Sequence, residues 1–225
     1  MIDVNVMKAP VLEAIPGIAA AFVGRQNAAR PDPASLVGCL GLPAGAVRGV
    51  VTAAQIHSDR VLFADRPADG GPLGPGDAIV TRMRGLVLGI ATADCVPIVA
   101  GVLERTLEAM ARQGGARMPA TRIALGPSAR VCCYRVGAVV TGAFAAARPD
   151  AVGEAFVEDE GGARMDLIAA NRRQALDAGV PAGSIGAIDV CSICRPEVCH
   201  SYRRDGPATG RMWLLAALEP PATSP

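Results

Sequence analysis

The hydrophobic positions fall into short runs separated by turn residues, a pattern of many strands and few helices. Val47 to Ile56 and Arg60 to Ala64 read as strands. They lie between the loop signals Arg30-Pro31-Asp32-Pro33 and Asp69-Gly70-Gly71-Pro72 to Pro75-Gly76-Asp77. Ala78 to Thr81 and Leu86 to Ala91 are β-branched, apolar runs of strand length. Only Arg82-Met83-Arg84-Gly85 separates them, so the pattern predicts a hairpin. Val96 to Ala100 reads as one further strand. Leu103, Leu107, Met110 and Ala111 then recur at helical spacing, predicting a helix over Glu104 to Gln113 that Gly114-Gly115 ends. A second helix is expected from Met165 to Ala178, with Asp166 near its start to suit the helix dipole and Gly179 to close it. Ala187 to Val190 and Met212 to Leu218 read as closing strands. Strands and helices mix without strict alternation, which predicts a single α/β domain with mixed sheets.

Composition narrows the function classes. Of the 225 residues, 51% are hydrophobic and 19% charged, enough apolar surface for a buried core and unlike a disordered segment. The net charge is +1, which gives no bulk attraction for nucleic acid or an anionic membrane. The longest uncharged run in the middle of the chain, Val136 to Ala147, is too short for a span of about 20 residues. Met1 to Lys8 lack a basic stretch followed by an apolar one, so no signal peptide and a cytoplasmic location are expected. The seven cysteines are an odd number and are read as thiols rather than a disulfide framework.

Histidine sets the tightest limit, with only His57 and His200 in the chain. A three-histidine zinc site is excluded within one chain, and so is a multicopper centre. Any Cys–His or Ser–His catalysis must use one of these two imidazoles. Gln55-Ile56-His57-Ser58 follows one apolar run and precedes another, placing His57 at a strand end or turn, where it is either a turn histidine or a cleft residue. Thr92-Ala93-Asp94-Cys95-Val96-Pro97 puts Cys95 at a sharp boundary, because Pro97 holds Val96 extended. Cys95 is then either a buried structural thiol or, as thiolate, a nucleophile or metal ligand. Cys191-Ser192-Ile193-Cys194 with Cys199-His200 has zinc-like spacing, although thiols of a loop or core are the favoured reading. Ser201-Tyr202-Arg203-Arg204 with Thr209-Gly210-Arg211 is either a solvated loop or an anion clamp, since arginine forks match phosphate and carboxylate.

Taken in order, several blocks resemble the laccase-domain family, also called the multicopper polyphenol oxidase or YfiH-like family. They are Gln55-Ile56-His57, Asp77 to Thr81, Thr92 to Pro97, Leu125-Gly126-Pro127, Tyr134-Arg135-Val136-Gly137, Met165-Asp166-Leu167 with Ala170-Asn171-Arg172, Cys191-Ser192, Ser201 to Arg204 and Thr209-Gly210-Arg211. The resemblance implies an α/β fold of layered mixed β-sheets flanked by helices. It also implies zinc-dependent phosphorolysis of adenosine, inosine and methylthioadenosine, together with adenosine deamination. Purine nucleoside and phosphate are the implied partners, with zinc as cofactor and copper disfavoured. Carried over by residue, His57 and Cys95 are the implied catalytic metal ligands, with Arg203 and Arg204 near the substrate anion. The family's second histidine, in an H-A-G-W-[RK]-G motif, has no counterpart. Family segments are expected to be missing near residues 26–27 and 100–101 of a single domain spanning 1–225. Two other readings stay open: a Cys95–His57 hydrolase, of the kind the family links to peptidoglycan quality control, and an inactive binding remnant.

Overall fold

The computed structural model describes residues 5–27, 30–43, 45–67, 71–95 and 101–220. In chain order the elements are β1 (Val6–Met7), α1 (Pro10–Glu13), β2 (Ile18–Val23), β3 (Gly49–Thr52), β4 (Val61–Ala64), β5 (Ala78–Thr81), β6 (Leu86–Thr92), α2 (Val102–Gly114), β7 (Ile123–Leu125), α3 (Ala138–Ala147), α4 (Val152–Ala155), β8 (Phe156–Asp159), β9 (Gly162–Met165), α5 (Leu167–Asp177), β10 (Ile185–Ala187), α6 (Tyr202–Asp205) and β11 (Met212–Leu218).

The main sheet is mixed and runs β1-β2-β11-β6-β3. β11 pairs antiparallel with both β2 and β6, and β3 joins β6 in parallel. Three smaller ladders surround it: β4 with β5 and β7 with β10, both parallel, and the antiparallel hairpin β8–β9. One face of β2, β6 and β11 carries the main apolar core. Ala21, Val23, Val87 and Leu215 are almost fully buried against Leu36 and Leu40 of a 3-10 turn. A second core packs Phe144 of α3 against Met165 and Leu167, with the Phe144 and Phe156 rings edge to face. A third joins α2, α5, β7 and β10 through Leu107, Ala175, Ile123 and Ile185.

The helices start and stop for identifiable reasons. α2 ends at Gly115, whose φ of +65° suits a residue without a side chain. α5 is capped by the Asp166 carboxylate, which accepts the N–H groups of Ile168 and Ala169 at 2.9 Å. Gly126 is set by close approach, since a methyl group there would overlap the Phe22 ring.

Several expectations are corrected. β5 and β6 do not form a hairpin. Gly85, at φ +77°, sends its N–H to Leu218 O at 2.7 Å and receives Arg48 N–H at 2.8 Å, so the turn bonds outward and not across itself. β5 consequently pairs with β4, and β6 enters the main sheet. Met165 ends β9 and does not begin a helix, because its N–H bonds to Tyr134 O at 2.9 Å and Asp166 takes the cap. The strand near Ala187 covers Ile185–Ala187, and the one expected from Val47 narrows to Gly49–Thr52. The strand expected over Val96 to Ala100 lies outside the described residues, as does most of the junction at 100–101. Among the described residues no helix is long and apolar enough to cross a membrane.

Candidate active site

The C-terminal end of β6 opens into a cavity of about 540 Å³ lined by Gln55, His57, Thr92, Asp94, Cys95, Tyr134, Tyr202, Arg203 and Arg211. His57 and Cys95, far apart in sequence, thus share one cavity, and Arg203 lines it with them. Arg204 turns away. Its guanidinium donates to the carbonyls of Ser192, Ile193 and Cys199, each at 3.0 Å, and pairs with Asp205 at 2.7 Å. His200 is buried beside a different cavity, with Arg25, Gln26 and Asp205. Burial, then the nearby Arg25 charge, pushes its pKa below the ordinary histidine range.

Backbone strain concentrates at this cavity. Among the described residues, His57 (φ +59°) and Asp94 (φ +76°) are the non-glycine residues with positive φ. A left-handed backbone costs such residues about 1–3 kcal/mol and persists only where the surroundings impose it. For His57 the imposing group is Asp77, which immediately precedes β5. Its carboxylate accepts N–H groups from Ile56 (3.1 Å), His57 (2.9 Å) and Ser58 (2.7 Å), and the Ser58 hydroxyl at 2.8 Å. Burial opposes ionisation of Asp77, but these donors outweigh it and hold its pKa below the usual carboxylate value. For Asp94 the imposing groups are Ser201 Oγ at 2.8 Å, Arg203 N–H at 2.7 Å and the Ser192 hydroxyl, all donating to a buried carboxylate.

The rest of the wall combines cation and aromatic surface. The Arg203 guanidinium lies 4.9 Å from the centre of the Tyr134 ring and donates to Arg135 O at 2.9 Å. Arg211 donates to Gly210 O at 3.0 Å. The protein crowded around Cys95, followed by the Asp94 charge, raises its thiol above the usual range, while Arg211 pulls the other way. An imidazole and a thiol suit zinc in kind. A catalytic zinc takes three protein ligands, however, and among the described residues no third His, Cys, Asp or Glu joins His57 and Cys95.

Sequence reasoning missed the aromatic part of this wall. Both tyrosines of the chain, Tyr134 and Tyr202, line the cavity, and their scarcity was the available signal. It also missed Asp77 and Asp94 as positioning groups. The C-x-x-C reading is corrected in its partners. Cys191 and Cys194 meet Cys132 and Cys133, with all four sulfurs within 4.8 Å of one another, whereas Cys199 is buried elsewhere. Burial, followed by contacts with Cys191 and Cys194, pushes the Cys132 thiol up to about 11.

The family model described as Multi-copper polyphenol oxidoreductase laccase matches this chain over residues 30–100 and 98–219. The chain belongs to that family. Among its relatives, the purine nucleoside phosphorylase of Deinococcus radiodurans is 36% identical over 185 residues, covering 73% of this chain and 68% of that protein. Adenosine deaminase RL5, from an unknown prokaryotic organism, is 37% identical over 186 residues, covering 70% of each. YlmD from Geobacillus stearothermophilus shares the fold, with a TM-score of 0.78 over 94% of each chain at 23% identity. The layered mixed α/β architecture expected of a laccase-domain protein is thereby borne out.

Proposed function

We propose that this protein processes purine nucleosides in the cavity at the end of β6, by phosphorolysis of adenosine, inosine or methylthioadenosine and by deamination of adenosine. The observation that carries the reading is the convergence on one cavity of two strained polar residues, His57 and Asp94, with Cys95, two arginines and two tyrosines. Strain of this kind is kept where a site needs it. The names of two relatives, a purine nucleoside phosphorylase and an adenosine deaminase, support the substrate class.

The wall chemistry suits both halves of the substrate pair. Tyr134 and Tyr202 offer ring surface to a purine. Arg203 and Arg211 offer guanidinium N–H groups to phosphate, which they bind in forked geometry. In phosphorolysis a phosphate oxygen attacks C1′ of the ribose, the C1′–N bond breaks, and the purine leaves with a proton on its ring nitrogen. His57 is the group that supplies or relays that proton. Zinc is the metal whose ligand preferences His57 and Cys95 share. With two of three protein ligands among the described residues, phosphate binding and proton transfer are assigned to side chains alone.

The test is direct. Purified protein, with and without added zinc, is incubated with adenosine or inosine in the presence and absence of phosphate. Base, ribose 1-phosphate and inosine are then quantified. Phosphate-dependent base release that disappears in His57→Ala and Cys95→Ser is expected. Nucleoside binding without turnover under every condition would overturn the enzymatic reading in favour of a binding remnant.

A further inference from the structure

We propose that Cys132, Cys133, Cys191 and Cys194 form a tetrathiolate site for one zinc ion, separate from the cavity, which locks together the two loops that hold its wall. The four Sγ atoms lie within 4.8 Å of one another, with Cys133–Cys194 at 3.0 Å and Cys132–Cys194 at 3.7 Å. Tetrahedral zinc with Zn–S bonds of about 2.3 Å requires sulfurs about 3.8 Å apart, inside this range. A cage for a multinuclear iron–sulfur cluster would hold its sulfurs farther apart.

The cluster is not an accident of flexible side chains, because the backbone sets both loops independently of sulfur. Ser192 N–H bonds to Ser128 O at 3.0 Å and Ser128 N–H to Val190 O at 3.3 Å, fixing the C-x-x-C loop beside the Cys132-Cys133 turn. That turn is closed by Cys133 N–H to Arg130 O at 2.9 Å and Tyr134 N–H to Arg130 O at 2.8 Å. Binding forms four S–Zn bonds as four thiol protons pass to solvent, and needs no oxidant.

The site braces the cavity through neighbours of its ligands. Tyr134 follows Cys133 directly and carries the Arg203 guanidinium on its ring. Ser192, between Cys191 and Cys194, donates to Asp94. The ion therefore fixes both ends of the wall without touching substrate, and the inference does not depend on which reaction the cavity performs.

The experiment loads the full chain, purified under reducing conditions, with zinc or cobalt alone. Cobalt bound by four thiolates gives intense visible bands that a His57–Cys95 site would not. One ion per chain with these bands is expected in the wild type, in Cys95→Ser and in His57→Ala. Both ion and bands are expected to vanish in Cys191→Ser. Should Cys191→Ser not fold, Cys194→His keeps four ligands and is expected to retain the ion with the bands shifted to those of a three-sulfur set. Three results would each overturn the site: bands unchanged in Cys194→His, metal that follows Cys95 only, or a Cys133–Cys194 disulfide that persists in metal-supplemented, reduced protein.

Discussion

The Asp94 carboxylate accepts a hydrogen bond from the Ser192 hydroxyl, and both groups are buried. One oxygen pair thus links the tip of β6 to the C-x-x-C loop, almost a hundred residues away in the sequence. Two companions, the Ser201 hydroxyl and the Arg203 N–H, complete the set of donors that tie the Cys95 turn to the Arg203 segment.

Asp94→Ala should be strongly destabilising. It leaves two hydroxyls and an amide without their acceptor, at about 1–3 kcal/mol for each buried group left unpaired. It also puts alanine at a positive φ. Asp94→Asn, which tolerates that backbone and keeps one acceptor oxygen, should recover part of the loss. Denaturant unfolding of the pair measures the difference. Equal stability of Asp94→Ala and wild type would mean that the contact carries no weight.

His57 separates activity from stability. His57→Gly relieves the left-handed strain and should be more stable than His57→Ala by about 1 kcal/mol. Both variants should lose nucleoside turnover. Thermal melts beside the phosphorolysis assay read the two effects, and an alanine variant as stable as the glycine one would remove the case for strain.

Asp77 predicts an acid limb. Its pKa is depressed in the folded protein, so its contribution is fully present above the ordinary aspartate value of about 3.9. That contribution is withdrawn as pH falls through the lower folded value. Asp77→Asn should flatten the stability profile below about pH 4. A variant whose profile retains the full wild-type acid slope would assign that slope to other carboxylates.

Arg203 and Arg204 should behave differently despite being neighbours. Arg203→Ala should raise the KM for phosphate about tenfold or more, equivalent to about 1.4 kcal/mol, and lower the melting temperature less than Arg204→Ala does, since it loses one carbonyl contact and one ring contact. Arg204→Ala releases three carbonyls and should cost roughly 2 kcal/mol of stability whatever the substrate. Steady-state kinetics and melts on both variants decide it. The reverse pattern would exchange their roles.

The legible parts of this fold were those with local causes. The spacing of Leu103 and Leu107, with paired glycines after Gln113, announces α2, and the run after Gly85 announces β6. What could not be read was partnership. The turn between β5 and β6 looks like a hairpin until Gly85 is seen bonding to Arg48 and Leu218, partners that no window around residue 85 contains. α3 carries no polar face to give a helical period, so Ala138–Ala147 read only as an uncharged run. At the site, His57, Cys95 and Arg203 were marked by their chemistry, as was the C-x-x-C pair. The sulfurs that join that pair come from β7's distant exit loop, and sequence spacing carries no information about such a meeting.

β11 lies between β2 and β6, although almost the whole domain separates it from β2 in sequence. The central ladder therefore stays open during synthesis until residues 212–218 leave the ribosome. Until then the apolar edges of β2 and β6 are without their native partner, which exposes the nascent chain to misassociation. A sharp loss of soluble yield on trimming into β11 is the outcome expected from where that one strand sits.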